Sequence, residues 1–181
     1  AQLSLVAYRL RPGDPQAQGR VLSTQHVPHA EVRPGQHGAV YFVDHSADGA
    51  LLSTATETGI VEIRDVADPA RVLDQVTAGP SWISTAIFHP ARPMLATAGS
   101  DATVRLWDTS DPSDVVPIAE MPVGHAEISQ LAWSPDGRTL VSANGDHTVT
   151  VIDVTDPGRP TVADPPLQWP GRGIVRAVAF H

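Results

Sequence analysis

Three histidines near the start of the chain have a spacing that zinc ligands can use. His26 and His29 are separated by two residues, and His37 follows them. Structural and catalytic zinc sites use His and Cys side chains at short spacings of this kind. The chain contains no cysteine, however, and Pro28 interrupts a segment that has the composition of a loop, so the alternative is solvent-exposed histidines. We favour this second interpretation and expect neither a metal site nor a cofactor.

Asp44, His45 and Ser46 are the three residue types of a hydrolytic triad. In a triad the serine attacks, the histidine takes its proton and the aspartate orients the histidine. The geometry of the side chains defines a triad, and adjacency in sequence does not supply that geometry. The internal repeat described below places these residues at the end of a strand and in its turn. The chain also lacks the standard glycine-rich phosphate loops, so we predict that it is not an enzyme.

An acidic motif, Asp-x-x-Asp-Pro, begins at each of Asp65, Asp108 and Asp153. Its carboxylates could form a metal loop. The motif follows a predicted strand each time, however, and there the first aspartate can bond its own following backbone while the proline stops the strand. Turn formation explains one such motif per strand end more simply than metal binding does.

The charge balance argues against several classes of partner. The chain has 181 residues, of which 20 are acidic and 12 basic, and its formal net charge is −8. Nucleic acids and anionic membranes attract clustered cations, so we expect neither as a partner. All basic residues are arginine, which together with abundant Ala, Gly and Pro indicates a GC-rich genome such as that of a bacterium. No apolar run approaches the roughly 18 residues of a membrane span, and we expect a cytoplasmic protein.

Three segments of the chain align with one another without a gap. The aspartates that close them lie 43 and 45 residues apart. In every copy a Ser or Thr follows the opening residue by 17 positions, as Ser142 follows His125. Self-similarity at a fixed period of this length is typical of repeat architectures. A fourth copy begins near Arg172 and stops in mid-repeat.

Each copy has the periodicity of β-strands. In the third copy Ile128, Leu131 and Trp133 mark one strand, and residues 140–143 and 149–152 mark the next two. Short segments rich in Val, Ile, Thr and aromatic residues, separated by Gly, Asp and Pro, are typical of antiparallel sheets. A fourth strand is predicted after the closing aspartate, as at 71–76 and 115–121. We therefore predict an all-β protein of four-stranded antiparallel units at 40–76, 83–121 and 128–167.

The motifs of these copies resemble those of WD-repeat β-propellers. They are the Gly-His start at His125, the Ser-Pro-Asp-Gly turn at 134–137 and the Trp-Asp end at Trp107. The resemblance covers residues 37–181 and implies about four blades of a larger ring. It divides the chain into the end of a preceding blade with a Pro/Gly-rich loop (1–36), three blades (37–79, 80–124 and 125–171) and the first strand of a further blade (172–181). The phrase Asp-x-x-Asp-Pro-x-x-Pro is similar to the propeller tails of large bacterial signalling ATPases and kinases.

The resemblance also implies a structural role for eight polar and aromatic residues. In that family a His, a Ser or Thr, an Asp and a Trp form a hydrogen-bonded tetrad within each blade, which satisfies buried polar groups. No copy carries all four, because Ile152 replaces the Trp of the third copy and Pro80 the His of the second. The implied tetrad positions are His37, Thr54, Thr97, Asp101, Trp107, His125, Ser142 and Asp146.

Partner binding is expected where each first strand begins, because these residues face the funnel and the top surface in the family. The candidates are Tyr41, Trp82, Ser84, Glu127 and Arg176. Tyr, Trp and Arg are the residue types enriched at binding hot spots. For Trp82 the alternative is that it packs on the loop at Pro80 and fills the space of the missing histidine.

Together these features predict a non-catalytic scaffold or sensor module within a larger bacterial regulatory protein. Its partner would be a protein or peptide, basic in charge because this chain is acidic. The alternative is a small-molecule-binding propeller enzyme, of the hydrolase or quinoprotein type, with its site in the central funnel. The inward positions Tyr41, Ser84, Ser129 and Arg176 offer no carboxylate for a metal, which favours the scaffold.

Overall fold

The alternating segments form short strands joined by tight turns. The structure, a computed structural model, describes residues 38–168 and 174–180. Blade 1 comprises β1 (Val40–His45), β2 (Leu51–Thr56), β3 (Ile60–Asp65) and β4 (Val72–Thr77). Blade 2 comprises β5 (Ile83–Phe88), β6 (Met94–Gly99), β7 (Thr103–Asp108) and β8 (Val116–Pro122). Blade 3 comprises β9 (Ile128–Trp133), β10 (Thr139–Asn144), β11 (Thr148–Asp153), β12 (Thr161–Val162) and β13 (Leu167–Gln168).

The described residues belong to one compact unit, Gly35–His181. The preceding blade end and loop that we expected at 1–36 lie outside the described residues. The same holds for His26, His29 and His37.

Each blade is a sheet in which neighbours in sequence are neighbours in space. The strand orders are β1-β2-β3-β4, β5-β6-β7-β8 and β12-β11-β10-β9, and all pairs are antiparallel. The prediction of an all-β fold with four-stranded antiparallel blades is confirmed, and the observed strands begin and end within about two residues of the expected ones. In the described part of the chain, no helix is long and apolar enough to cross a membrane.

The outer strand of blade 3 is less regular than we predicted. β12 pairs with the C-terminal end of β11 and β13 pairs with its N-terminal end. Pro160, Pro165 and Pro166 lie in and around this segment, and proline cannot donate a hydrogen bond to a strand ladder. Two strands of two residues therefore replace the single long outer strand of the other blades.

We expected the first strand of a further blade at 172–181; the described part of this segment, residues 174–180, is not a strand. The backbone N–H of Val178 donates to Oε1 of Gln130 in β9, at 3.0 Å. A strand needs a partner that pairs its backbone N–H and C=O groups. In each described blade the first strand pairs with the second, which is β2, β6 or β10. Residues 174–180 have no such second strand among the described residues.

The apolar core lies between neighbouring blades. Ile63 of blade 1 packs in one buried cluster with Leu95 and Trp107 of blade 2. A second buried cluster joins Leu106 of blade 2 to Ile152 of blade 3. Each such side chain contributes about 1.5–3 kcal/mol when it is fully buried. This packing holds the blades face to face, with β1 against β5 and β5 against β9.

The aspartates that close each copy form turns, as their position in the sequence indicated. Oδ1 of Asp65, Asp108 and Asp153 accepts a hydrogen bond from the backbone N–H two residues later, at 2.8, 2.8 and 2.9 Å. These bonds close the connection between the third and fourth strands. The acidic motif is therefore used as a turn in all three blades.

Candidate partner-binding site

Tyr41 and Trp82 lie beside each other at the starts of β1 and β5. Their ring centroids are 6.4 Å apart with an interplanar angle of 82°, which is an edge-to-face contact. Together with Ser84 they line a cavity of 350 Å³, and we call these three residues the aromatic pocket. Tyr41 is 57% exposed, whereas Trp82 is half-buried. The pocket thus combines a large apolar surface with polar groups, as ligand sites in proteins do.

Irregular strand pairing positions two members of the aromatic pocket. The pairing of β1 with β2 skips Tyr41, and the pairing of β5 with β6 skips Ser84. A bulge of this kind re-aims the side chain of the skipped residue. Tyr41 and Ser84 therefore occupy equivalent positions in adjacent blades, next to the same opening.

The hydroxyl of Ser84 also connects blade 2 to blade 3. Its Oγ lies 2.6 Å from the carbonyl oxygen of Ile128 and 3.1 Å from that of Ala98, and both can accept its proton. The hydroxyl has one proton, which goes to one of these carbonyls or is shared between them, and either arrangement restrains its position. Ser84 thus lines the pocket, and its contact with blade 3 helps to fix its position.

The remaining two candidates lie apart from the aromatic pocket. Glu127 is half-buried between β8 and β9, and its carboxylate occupies the space beside Gly145 where a larger residue would clash. Arg176 is exposed within 174–180. Neither lines the aromatic pocket as far as the described residues show. The structure thus brings Tyr41, Trp82 and Ser84 together but does not bring Glu127 or Arg176 to them.

In blade 2 the tetrad positions are only partly connected. Nε1 of Trp107 donates to Oγ1 of Thr97 at 2.9 Å, and both residues are buried. Asp101, however, forms a 2.8 Å ion pair with Arg105 and accepts from the backbone N–H of Thr103 at 3.2 Å. Pro80 stands at the histidine position of the tetrad and offers no side-chain donor to Asp101. Asp101 therefore stabilises the β6–β7 turn instead of joining the tetrad.

In blade 3 the expected cluster of His125, Ser142 and Asp146 is not assembled. His125 is exposed, and Oγ of Ser142 is buried without a hydrogen-bond partner in the described structure. Oδ1 of Asp146 accepts from the hydroxyl of Thr148 at 2.6 Å. The side chain that connects the strands here is Asn144, whose Nδ2 donates to Thr148 Oγ1 at 2.8 Å and to Thr150 Oγ1 at 2.9 Å.

In blade 1 an ion pair takes the place of the tryptophan. His37 lies outside the described residues, so its expected role stays a prediction. Thr54 donates to Oε2 of Glu62 at 3.3 Å, and Arg64 donates to the same oxygen at 2.6 Å. Glu62 is nearly buried, so this pairing removes the cost of an isolated charge. Arg64 thereby replaces the indole N–H at the same repeat position.

His89 is a buried residue whose role the sequence did not reveal. It is 2% exposed, and Nδ1 accepts hydrogen bonds from the backbone N–H groups of Ala91 and Arg92, both at 2.9 Å. Nε2 lies 3.0 Å from the carbonyl oxygen of Gly137 in blade 3, and the ring contacts Trp133. Burial lowers the pKa of His89. The hydrogen bond to Gly137 acts to raise this pKa, and the charge of Arg92 acts to lower it further. The sequence did contain a signal for this role: at this position of the repeated turn the other two copies have a serine, and this copy has a histidine.

Asp44, His45 and Ser46 do not form a triad. Oδ2 of Asp44 accepts from the backbone N–H of Phe88 at 2.9 Å, which joins blade 1 to blade 2. His45 contacts the carbonyl oxygen of Ser46, and the Ser46 hydroxyl donates to Asp48 within the turn. Within residues 38–168 and 174–180, no three His, Cys, Asp or Glu side chains are grouped to hold a metal ion.

Comparison with known proteins finds a family model that matches two segments of the chain. Residues 71–108 and 116–153 match the family model described as WD domain, G-beta repeat. Over 67 residues the chain is 43% identical to the probable cytosolic iron-sulfur protein assembly protein Ciao1 of Culex quinquefasciatus, which covers 36% of this chain and 20% of that protein. It is 30% identical over 125 residues to the small ribosomal subunit protein RACK1z of Oryza sativa subsp. japonica, covering 67% of this chain and 36% of that protein.

A solved structure supports the fold itself. The chain superposes on a chain of the crystal structure of the mitotic checkpoint complex with a TM-score of 0.64 and 23% identity, covering 78% of this chain and 41% of that one. The chain thus spans between a fifth and two fifths of the length of these relatives and of this solved chain. Residues 71–108 and 116–153 thus resemble WD40 repeats, and the described residues have the fold of β-propeller blades.

Proposed function

We propose that this chain is a non-catalytic interaction module that binds a protein or peptide partner at the aromatic pocket. The observation that carries the proposal is the edge-to-face pair of Tyr41 and Trp82 at the mouth of a 350 Å³ cavity. The two rings belong to different blades, so the cavity depends on the rigid stacking of β1 against β5. A pocket of this kind can receive one apolar or cationic side chain of a partner.

Aromatic rings suit this task for physical reasons. They provide a large contact area and lose little conformational entropy on binding, because they have only two rotatable side-chain bonds. Their faces also attract cations, at about 0.5–1 kcal/mol for an exposed site. The net charge of −8 favours a partner with a basic patch and would steer its approach, with an association rate that falls as salt rises. Glu127 and Arg176 are proposed as outlying contacts for the same partner.

The test is affinity capture of partner proteins by the whole chain and its variants from a lysate of the source organism. Trp82→Ala and Tyr41→Ala should both lose the proteins that the unchanged chain enriches, as measured by quantitative mass spectrometry. Leu167→Ala is the control, because Leu167 is also a large exposed apolar residue but lies on the outer edge of blade 3.

Thermal melting of the same variants distinguishes binding from packing. Lost capture with an unchanged melting temperature supports the aromatic pocket as a binding site. If Trp82→Ala lowers the melting temperature and keeps capture intact, Trp82 is a packing residue beside Pro80 and the proposal fails.

We further propose that the chain belongs to a larger bacterial regulatory protein of the cytoplasm, with more blades or domains in the same polypeptide. The arginine-only basic composition and the Asp-x-x-Asp-Pro-x-x-Pro phrase support a bacterial signalling context. The relatives named above are eukaryotic, so they lend the bacterial origin no support, although one of them is called cytosolic by name. The source genome and the complete reading frame test this directly.

A further inference from the structure

The one asparagine of the chain, Asn144, lies at the end of β10 and is followed by Gly145. The side-chain amide of an asparagine can react with the backbone nitrogen of the next residue. Glycine is the neighbour that hinders this reaction least, because it has no Cβ and its backbone adopts many conformations. The chain therefore has one asparagine, and that asparagine has the neighbour that best permits deamidation.

The chemistry needs no reagent other than water. The backbone nitrogen of Gly145 loses its proton to hydroxide and attacks Cγ of Asn144. The bond from Cγ to Nδ2 breaks, and Nδ2 takes a proton from water and leaves as ammonia. Water then opens the resulting succinimide at one of its two carbonyl carbons. The product is an aspartyl residue, or an isoaspartyl residue in which the main chain runs through Cγ.

Hydrogen bonds of the folded blade engage both reacting groups. Nδ2 of Asn144 donates to Oγ1 of Thr148 at 2.8 Å and to Oγ1 of Thr150 at 2.9 Å. The backbone N–H of Gly145 donates to the carbonyl oxygen of Glu127 at 2.9 Å. Asn144 is only 1% exposed, so water has little access to its side chain. The reaction therefore requires that the turn between β10 and β11 opens.

This turn has less support than the equivalent turns of the other blades. His147 has a φ of +68°, in the left-handed region that favours glycine, and Gly59 occupies the same repeat position in blade 1. On the outer side, Thr148 and Val149 pair with β13, which has two residues, both exposed. In blade 2 the seven-residue β8 covers that side. Segments with few buried contacts open locally at a lower free energy than the rest of a fold.

The product does not suit the space that holds the amide. A carboxylate at position 144 carries a negative charge and has no hydrogen-bond donor. The hydroxyl of Thr148 donates to Asp146 at 2.6 Å, and that of Thr150 donates to the carbonyl oxygen of Val123 at 3.3 Å. The new carboxylate would therefore face two oxygen atoms whose protons are already donated elsewhere. A buried charge without a partner destabilises a fold.

We propose that Asn144 is a site of spontaneous deamidation, that opening of the β10–β11 turn controls its rate, and that the product disfavours closure of the turn. Because ammonia leaves into the solvent, the modification accumulates with each opening that leads to reaction. The inference is independent of the aromatic pocket, whose residues belong to blades 1 and 2.

The test is incubation of the whole chain at mildly alkaline pH, followed by mass spectrometry of the peptide that contains position 144. Deamidation should be at least about tenfold slower in the folded chain than in the same chain unfolded by urea, because only the open turn reacts. Equal rates in the two states, or no deamidation in urea, overturn the proposal.

Thr150→Val tests whether the turn controls the rate. The substitution removes one acceptor of Asn144 Nδ2, so it should speed deamidation of the folded chain by about two- to tenfold, as for the loss of one hydrogen bond. Thr97→Val is the matched control, because it removes a buried hydrogen bond in blade 2 and leaves this turn unchanged. Equal acceleration in both variants would mean that global unfolding controls the reaction, and the local mechanism would be refuted.

Asn144→Asp tests the effect of the product. This variant carries one product of the reaction and should melt at a lower temperature than the unchanged chain. Gln75→Glu is the control, because it makes the same change from amide to acid at an exposed position of β4. If Asn144→Asp melts like the unchanged chain, or if both variants lose equally, the product does not disfavour closure of the turn and that part of the proposal fails.

Discussion

At one position of the repeat all three blades have a buried hydroxyl, but its hydrogen bonding differs from blade to blade. Thr54, Thr97 and Ser142 are equivalent residues of the second strand in blades 1, 2 and 3. Thr97 accepts from an indole N–H and Thr54 donates to a carboxylate, whereas the Ser142 hydroxyl has no partner among the described residues. The repeat therefore conserves a buried polar atom without conserving its hydrogen bond.

This difference predicts unequal costs for two nearly isosteric substitutions. Thr97→Val removes the acceptor of a buried indole N–H and should lower the free energy of unfolding by about 1–3 kcal/mol. Ser142→Ala removes a hydroxyl that makes no described hydrogen bond, so it should change that free energy by less than about 1 kcal/mol. Urea denaturation of the two variants measures both values. A Ser142→Ala loss as large as that of Thr97→Val would show that Ser142 is bonded in solution.

His89 predicts a loss of stability at mildly acidic pH. Its Nδ1 already accepts two backbone N–H groups, so a proton there would oppose both donors. Burial lowers the pKa of His89 in the folded state, so the unfolded chain takes up the proton first as the pH falls. The contribution is complete above the unfolded value of about 6.5 and is lost progressively below it.

Melting temperatures between pH about 7.5 and 5.5, the window around the ordinary histidine value, provide the measurement. His89→Gln should flatten the decrease, and His45→Gln is the control variant, at an exposed histidine. The turn aspartates titrate in a lower window, since their pKa values lie below the ordinary carboxyl value. Identical pH profiles of the two variants would exclude His89 as the source.

At the scale of strands and turns, the sequence predicts the structure wherever the conformation depends on residues that are neighbours in sequence. The strand ending at Trp133, the following Ser-Pro-Asp-Gly turn and the strand from Thr139 follow from alternation and turn chemistry alone. The φ of +69° at Gly137 is the left-handed conformation that such a turn requires. The repeat period then transfers each assignment to the other blades.

Contacts between blades could not be predicted in this way. Asp44 bonds the backbone N–H of Phe88, and Asp74 bonds that of Val115 at 2.7 Å, across 44 and 41 residues of sequence. Neither aspartate is recognisable in the sequence, because its acceptor role depends on how two sheets stack. The same reason explains why the role of His89, which bonds Gly137 of blade 3, was missed.

At the scale of the whole molecule, the described residues leave the outer face of blade 1 uncovered. In β5 the residues that face blade 1, such as Ile83 and Ala86, are buried. Their counterparts in β1, Val40 and Val43, are each 46% exposed. A blade of a repeat array buries both faces only when it has a neighbour on each side. The outer face of blade 1 is therefore an apolar surface that can associate with another chain.

We expect the chain, expressed by itself, to self-associate through this face, and Val43→Lys should reduce the association. A lysine at this position places a charge in the centre of the apolar surface, and burying an unpaired charge is costly. Val116→Lys is the control, because Val116 is 44% exposed but lies at the start of β8, on the outer edge of blade 2. Sedimentation velocity over a range of protein concentrations measures the effect. A monodisperse monomer at every concentration, or an equal response to both substitutions, would show that the exposed face of blade 1 does not drive association and that the three blades are stable as they stand.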